Sequence, residues 1–190
     1  MPRGDRIVAL APHGSLPAAD VAGAKQVDLA GRYVIPGLID SHVHMATPPN
    51  AVQARAMLRR NLYGGVTAVR DMADDLRSVG ELAREARMAE IPAPDIYYAA
   101  IMAGRPFFAD PRVAAASQGV TPGTAPWMQA IDDKTDLKEA ITLARGTSAS
   151  AIKVYADLTP RQVKAVTAPP IASICWSGRI VLSSLPARPT

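Results

Sequence analysis

Apolar and polar positions along this chain repeat with two periods, and the period switches at regular intervals. The stretch RIVALA at 6–11 reads as a short strand, and the turn-rich HGSLPAADVAGAK follows it. QVDLAGRYV, at 26–34, reads as two short strands around Gly31. LIDSHVH, at 38–44, alternates with period two, as a strand does, and ends on polar residues. In AVQARAMLRRNLYGG, Val52, Ala56, Leu58, Leu62 and Tyr63 form a helical stripe, and Gly64-Gly65 supplies its stop. VTAVRD, at 66–71, is short and β-branched, hence a strand. Leu76, Val79, Leu82, Ala83 and Ala86 then mark a second helix, and PDIYYAAIM a third buried strand. Residues 102–133 show no clear period and are rich in Gly and Pro. KTDLKEAITLARG predicts a helix stopped by Gly146, and SAIKVYA a fourth strand. TPRQVKAV opens a helix with Thr159 as N-cap and Pro160 at its first position.

Strand and helix alternate four times from residue 38 onward. That order predicts parallel β-strands with crossover helices, an α/β fold. At 190 residues the chain is long enough for one domain with a real core. Its net charge of +4 is spread among interspersed acids, so a solvated surface is expected rather than a nucleic-acid interface. Cys175 is the only cysteine, which rules out an internal disulfide and a zinc site built of thiolates. No signal peptide is visible, and no apolar run nears the roughly 20 residues of a membrane span; a cytoplasmic protein without membrane contact is the expectation.

The chemistry concentrates in VIPGLIDSHVHM, at 34–45. Two of the chain's three histidines lie there, one residue apart. Residues i and i+2 of a strand share a face, so His42 and His44 aim together. Two imidazoles on one face can hold a metal ion; a hydrogen-bonded pair in a turn is the plainer alternative. Asp40 shares that face and could orient a ligand or bond to backbone, the latter being favoured. Asp71 either lines a pocket mouth or caps the loop that follows it. Lys153 faces away from its apolar neighbours Ile152 and Val154, which suits a surface lysine as well as a site lysine. A segment as long as 102–133 without regular structure is usually functional or disordered. Its Phe107, Phe108 and Trp127 suggest a substrate-covering loop, or aromatics packed on a rim.

VDLAGRYVIPGLIDSHVH, GVTAVRDM and SAIKVYADLTP together resemble the amidohydrolase superfamily, over roughly residues 6–166. The imidazolonepropionase-like and prolidase-like branch is the most similar. The resemblance implies a partial TIM (β/α)8 barrel of about four βα units. It implies a partial β-sandwich segment over 1–34, the first half of the barrel over 35–166, and a non-family tail over 167–190. It carries over three metal residues: His42, His44 and Lys153, the lysine typically carboxylated and bridging two ions. The implied cofactor is a divalent metal, zinc above all, one or two ions in the complete enzyme. The implied reaction is hydrolysis of a carbon–nitrogen bond in a cyclic or linear amide, or a dipeptide, by metal-activated water.

The resemblance also implies later ligands that this chain does not hold. No histidine follows His44, and no Asp or Glu follows Asp157. No catalytic residue is therefore assigned, and the chain is expected to be inactive alone. The tail loses acids, helical period and resemblance together, for which a frameshift near residue 167 is the expected cause. The partner expected is a small-molecule amide or peptide substrate, and a homo-oligomer stays open. The competing reading is a non-catalytic scaffold on the same fold.

Overall fold

The computed structural model describes residues 2–4, 6–168 and 180–182. The rest of the tail, including Cys175, lies outside the described residues. The chain forms two compact units, Met1–Pro36 and Gly37–Thr190.

The first unit holds a two-stranded antiparallel ladder, β1 (Pro2–Arg3) with β2 (Arg6–Ile7), and one turn of helix, α1 (Ala18–Val21). None of its described residues is buried. The strands expected at 26–34 do not form. Their pattern suits a pleated surface, but a strand exists only where a neighbour takes its N–H and C=O groups. Among the described residues no strand pairs with them.

The second unit alternates strand and helix as its sequence predicts. In order come β3 (Leu38–Val43), α2 (Ala51–Tyr63), β4 (Val66–Asp71), α3 (Leu76–Arg87) and β5 (Asp95–Gly104). After a 3-10 turn (Arg105–Ala109) come α4 (Pro111–Ala116), β6 (Thr124–Ala125), β7 (Met128–Ile131), α5 (Leu137–Gly146), β8 (Ala151–Val154) and α6 (Pro160–Thr167). A last strand, β9 (Ile180–Leu182), lies in the tail. Side chains of Asn50, Asp75, Asp110, Asp136 and Thr159 accept N–H groups in the first turns of five helices. Each such cap contributes about 1 kcal/mol. Thr159 forms a full capping box with Gln162.

β5 is the axis of an open, mostly parallel sheet. Its first four residues pair with Ala68–Asp71 of β4, which in turn pairs with β3. Its residues 99–102 pair with β8, and 101–104 with β7. Ile101 and Met102 thus have partners on both sides, so β7 and β8 flank opposite edges of β5. β7 occupies the length of β5 that β4 is too short to reach. β9 extends the sheet beyond β8, also parallel. Gly104, at the end of β5, donates its N–H to Ala156 O at 2.9 Å. A Cβ there would stand 1.9 Å from the Asp157 carbonyl oxygen, so only glycine permits this approach.

Most of the core is one aliphatic cluster. It joins Val69, Ile96, Tyr98, Met102, Ile152 and Val154 of the strands to Leu58, Val79, Leu82, Ile141 and Val166 of the helices. Ala151 belongs to a second small cluster with Met72 and Ala99. Period two puts Lys153 on the Ala151 side, away from Ile152 and Val154, as expected.

Three further expectations need correction. The buried stripe of α2 is Ala54 and Leu58, while Val52 and Tyr63 are exposed; apolar residues stand on more than one face of this helix, so they fix its phase poorly. Residues 102–133 are not irregular, for they hold the end of β5, the 3-10 turn, α4 and the β6–β7 ladder. Those elements run two to six residues, too short for a period to show. The helix expected to stop at Gly146 includes it, and Thr147 is the C-cap. Among the described residues no helix is long and apolar enough to cross a membrane.

Among the described residues β3 pairs only with β4, and Leu38 and Ile39 on it are 51% and 72% exposed. An apolar strand with one edge unpaired is a template for association. Ile39→Lys should therefore reduce self-association in sedimentation velocity while changing stability by no more than about 0.5 kcal/mol. Unchanged association would show that chains meet elsewhere.

Candidate metal centre

Parallel strands deliver their C-terminal ends to one side of the sheet, and the charged residues singled out above gather there. His42 lies in β3 and His44 just after it; their rings are 5.4 Å apart between centroids and tilted by 57°. β3 is irregular between Asp40 and Val43, and Arg70 Nε of β4 donates to Ser41 O at 3.0 Å across the gap. Asp40 accepts the His42 backbone N–H at 3.1 Å, so it is the backbone-bonded acid that was favoured.

His44 is oriented by a residue that the sequence reading passed over. Its Nδ1 lies 2.6 Å from Oδ1 of Asp74, which is wholly buried. Asp74 also accepts the Ala46 N–H and the Thr47 hydroxyl. Asp71, equally buried, accepts Met45 N–H at 2.9 Å and Asp74 N–H at 3.0 Å, and so caps the loop. Asp75 is the N-cap of α3. The signal was three acids, Asp71, Asp74 and Asp75, within five positions at the end of a parallel strand.

Lys153 is 4% exposed. Its Nζ donates to Met72 O at 3.1 Å and lies 4.3 Å from the centre of the Tyr155 ring. Tyr155 meets Phe107 edge-on at 5.2 Å, and Phe107 meets Phe108 at 5.1 Å. Trp127 stands apart from them, beneath the Arg77 guanidinium.

The electrostatics follow from burial and partners. The hydrogen bond to Asp74 raises the His44 pKa against the opposing effect of burial. Desolvation, then the Lys153 and His44 charges, lower that of His42. Burial lowers Lys153, partly offset by Asp71 and Asp74. Burial works to raise Asp74, but bonds from His44, Thr47 and Ala46 outweigh it and hold the carboxyl low. Asp71 is pushed up to about 7, by burial first and the Asp74 charge second. The Lys153 charge is among those that act on both imidazoles, lowering each.

These residues fit a metal ion in part. With Nδ1 of His44 on a carboxylate, the neutral ring would keep the Nε2 lone pair for a metal, as metal-binding histidines commonly do. An ion about 2 Å from one nitrogen of each ring is compatible with the ring separation. Among the described residues no three His, Cys, Asp or Glu side chains form a metal-holding group.

The sequence profile of the Amidohydrolase family matches residues 33–165, more than half of the chain. The chain belongs to the amidohydrolase family. It is 40% identical over 85 residues to a D-hydantoinase of Streptomyces coelicolor, a match covering 42% of this chain and 18% of that one. Among solved structures, a Xaa-Pro dipeptidase with bound methionine in its active site superposes with a TM-score of 0.57 at 20% identity. That match covers 77% of this chain and 42% of the dipeptidase. The A. niger ochratoxinase gives a TM-score of 0.51 at 21% identity, over 73% of this chain and 40% of that one. At such identities the two structures share the fold with this amidohydrolase. The chain spans about two fifths of their length and less than a fifth of the hydantoinase.

Two outcomes follow from the carboxylates. Asp74→Asn removes the charge that holds His44, so the His44 pKa should fall, read by NMR titration. The loss of a charged, buried acceptor should also cost about 2 kcal/mol in urea unfolding. An unmoved His44 titration would overturn the pairing.

The second outcome concerns pH. Asp71 binds its proton more tightly folded than unfolded, so its contribution is full below its unfolded pKa and lost as pH rises towards 7. His44 has the same sign and loses its contribution as pH rises through its raised folded value. His42 has the opposite sign, being lowered, and gains over part of that range. Stability from urea midpoints should decline between pH 5 and 7, and Asp71→Asn should flatten that decline; an equal slope in both proteins would refute it.

Proposed function

We propose that this chain carries the first part of the metal centre of an amidohydrolase that hydrolyses carbon–nitrogen bonds in cyclic or linear amides. The observation that supports it most is the buried Asp74 carboxylate on Nδ1 of His44, which leaves the other nitrogen free at the C-terminal edge of a parallel sheet. His42 and His44 would hold a divalent ion, zinc being the expected one. When bound, the ion supplies Lewis acidity and brings the pKa of a water near 7.

Lys153 is the third donor in this reading. Burial favours its neutral amine, which can add carbon dioxide, forming an N–C bond and releasing a proton. The carbamate offers two anionic oxygens where the ammonium offers none. Phe107 and Tyr155 form an apolar wall beside it that would exclude water and face the substrate. The fold reads best as about four units of a TIM (β/α)8 barrel, over 35–166, after a partial β-sandwich segment over 1–34 and with a non-family tail over 167–190, whose β9 lies beside β8. The hydantoinase and dipeptidase similarities support a substrate of the amide or peptide class.

The donors for a second ion and a late general base are not among these residues, since no histidine follows His44 and no acid follows Asp157. Groups that act as a unit lose most of their catalysis when members are missing. The chain alone is therefore expected to take up zinc weakly, to show a carbamate signal with 13C-bicarbonate, and to hydrolyse neither hydantoins nor dipeptides above background. The double variant His42→Ala/His44→Ala should lose the zinc, and Lys153→Met the carbamate signal. Zinc uptake that is unchanged in the double variant would sink the reading.

A further inference from the structure

The turn from Met72 to Asp75 carries contacts to two of the three proposed ligands. Met72 O accepts from Lys153 Nζ at 3.1 Å, and Asp74 Oδ1 meets His44 Nδ1 at 2.6 Å. Between them Ala73 has φ +84°, a left-handed conformation that a residue with a Cβ adopts only when its surroundings hold it there. Bonds from Asp71 and from the β3–α2 connection hold its Asp74 side, and the Asp75 side has a brace of its own.

Arg77 is that brace. Its Nε donates to Asp75 Oδ1 at 2.9 Å and a terminal nitrogen to Asp75 Oδ2 at 2.5 Å. The same terminal nitrogen donates to Ser117 O and Gln118 O, both at 3.2 Å. The guanidinium lies 5.0 Å from the centre of the buried Trp127 ring. Asp75 in turn caps α3 through the Arg77 N–H. One side chain thus joins the strained corner to the loop after α4 and to the residue that leads into β7. No other arginine of α3 does this: Arg84 pairs with the exposed Glu81 and Glu90 at the far end of the helix.

We propose that Arg77 is a positioning residue for the metal centre, bracing the Met72–Asp75 corner so that His44 and Lys153 converge, and making that placement depend on the docked 105–131 segment. The proposal rests on the metal-centre reading above. Lysine could reach one of these partners but not fork to Asp75 while also meeting two carbonyls. Loss of groups that orient a metal ligand commonly costs 10- to 100-fold in affinity.

The test is zinc affinity by calorimetry on the whole chain, with the His44 ring-nitrogen NMR signals recorded well below the unfolding temperature. Arg77→Ala should weaken zinc by about tenfold and shift the His44 Nδ1 resonance; Arg77→Lys should fall between it and the parent. Arg84→Ala, on the same helix, should stay within twofold. If Arg77→Ala does not fold, the Arg77→Lys comparison decides, and parent-like affinity with a parent-like Nδ1 signal overturns the proposal. The same two results in a folded Arg77→Ala also overturn it. If His44→Ala leaves zinc binding intact, the metal-centre reading fails instead, and the Nδ1 signal still judges whether Arg77 holds His44.

Discussion

Two carboxylates buried side by side at the end of β4 constrain this structure more than any other feature. Asp71 and Asp74 have no arginine partner among their hydrogen bonds. A buried charge without partners costs several kcal/mol, so the surrounding chain has to supply donors. It does so from the β3–α2 connection: the N–H groups of Met45 and Ala46, the Thr47 hydroxyl and the His44 ring all point at the pair. The path of the chain after β3 is therefore set by the need to solvate two acids, one at the end of β4 and one just beyond it. The direction of His44 follows from the same requirement, as does the low pKa of Asp74 beside the high one of Asp71. Two such close acids share their protons, and the one with more donors keeps the charge.

How much of this was legible depends on the length of each element. β4, α3 and α6 were readable because each offers several consecutive positions that agree on one period, with Thr159 as a cap at the start of α6; β8, only four residues long, showed itself through β-branched Ile152 and Val154 on either side of Lys153. Lys153 was placed on the correct face by the alternation of Ile152 and Val154 alone. The strands expected at 26–34 show the limit of such reasoning, because pattern reports a preference and pairing requires a partner. The β6–β7 ladder shows the opposite limit, since two and four residues carry too little pattern to be seen. Asp74 was missed for a different reason. Its role rests on a contact thirty residues distant, and sequence distance hides what a parallel crossover brings together.

Membership of the amidohydrolase family explains why chemistry and fold were legible from the same short segments. LIDSHVH and SAIKVYA are at once pattern-bearing strands and carriers of the polar residues at the strand ends. The aliphatic side of each strand determines the face on which His42, His44 or Lys153 must emerge. A sequence under both demands has little freedom, and so it shows its fold and its candidate site together. Arg77 and the 105–131 segment lie outside those strands, and their part in the arrangement became visible only from contacts.

The uneven support of the strands has a kinetic side. β5 has neighbours on both edges along part of its length and α3 packed on it, while among the described residues β3 has one strand partner and largely exposed side chains. Elements so differently embedded do not open together. Amide hydrogens of β5 should exchange only through global unfolding, whereas those of β3 can exchange through a local excursion that leaves the rest intact. The strand that bears His42 then lets go of its place in the sheet more readily than β5 does. An ion bridging it to Lys153 would act as a latch across two cooperative units that otherwise fluctuate on different timescales.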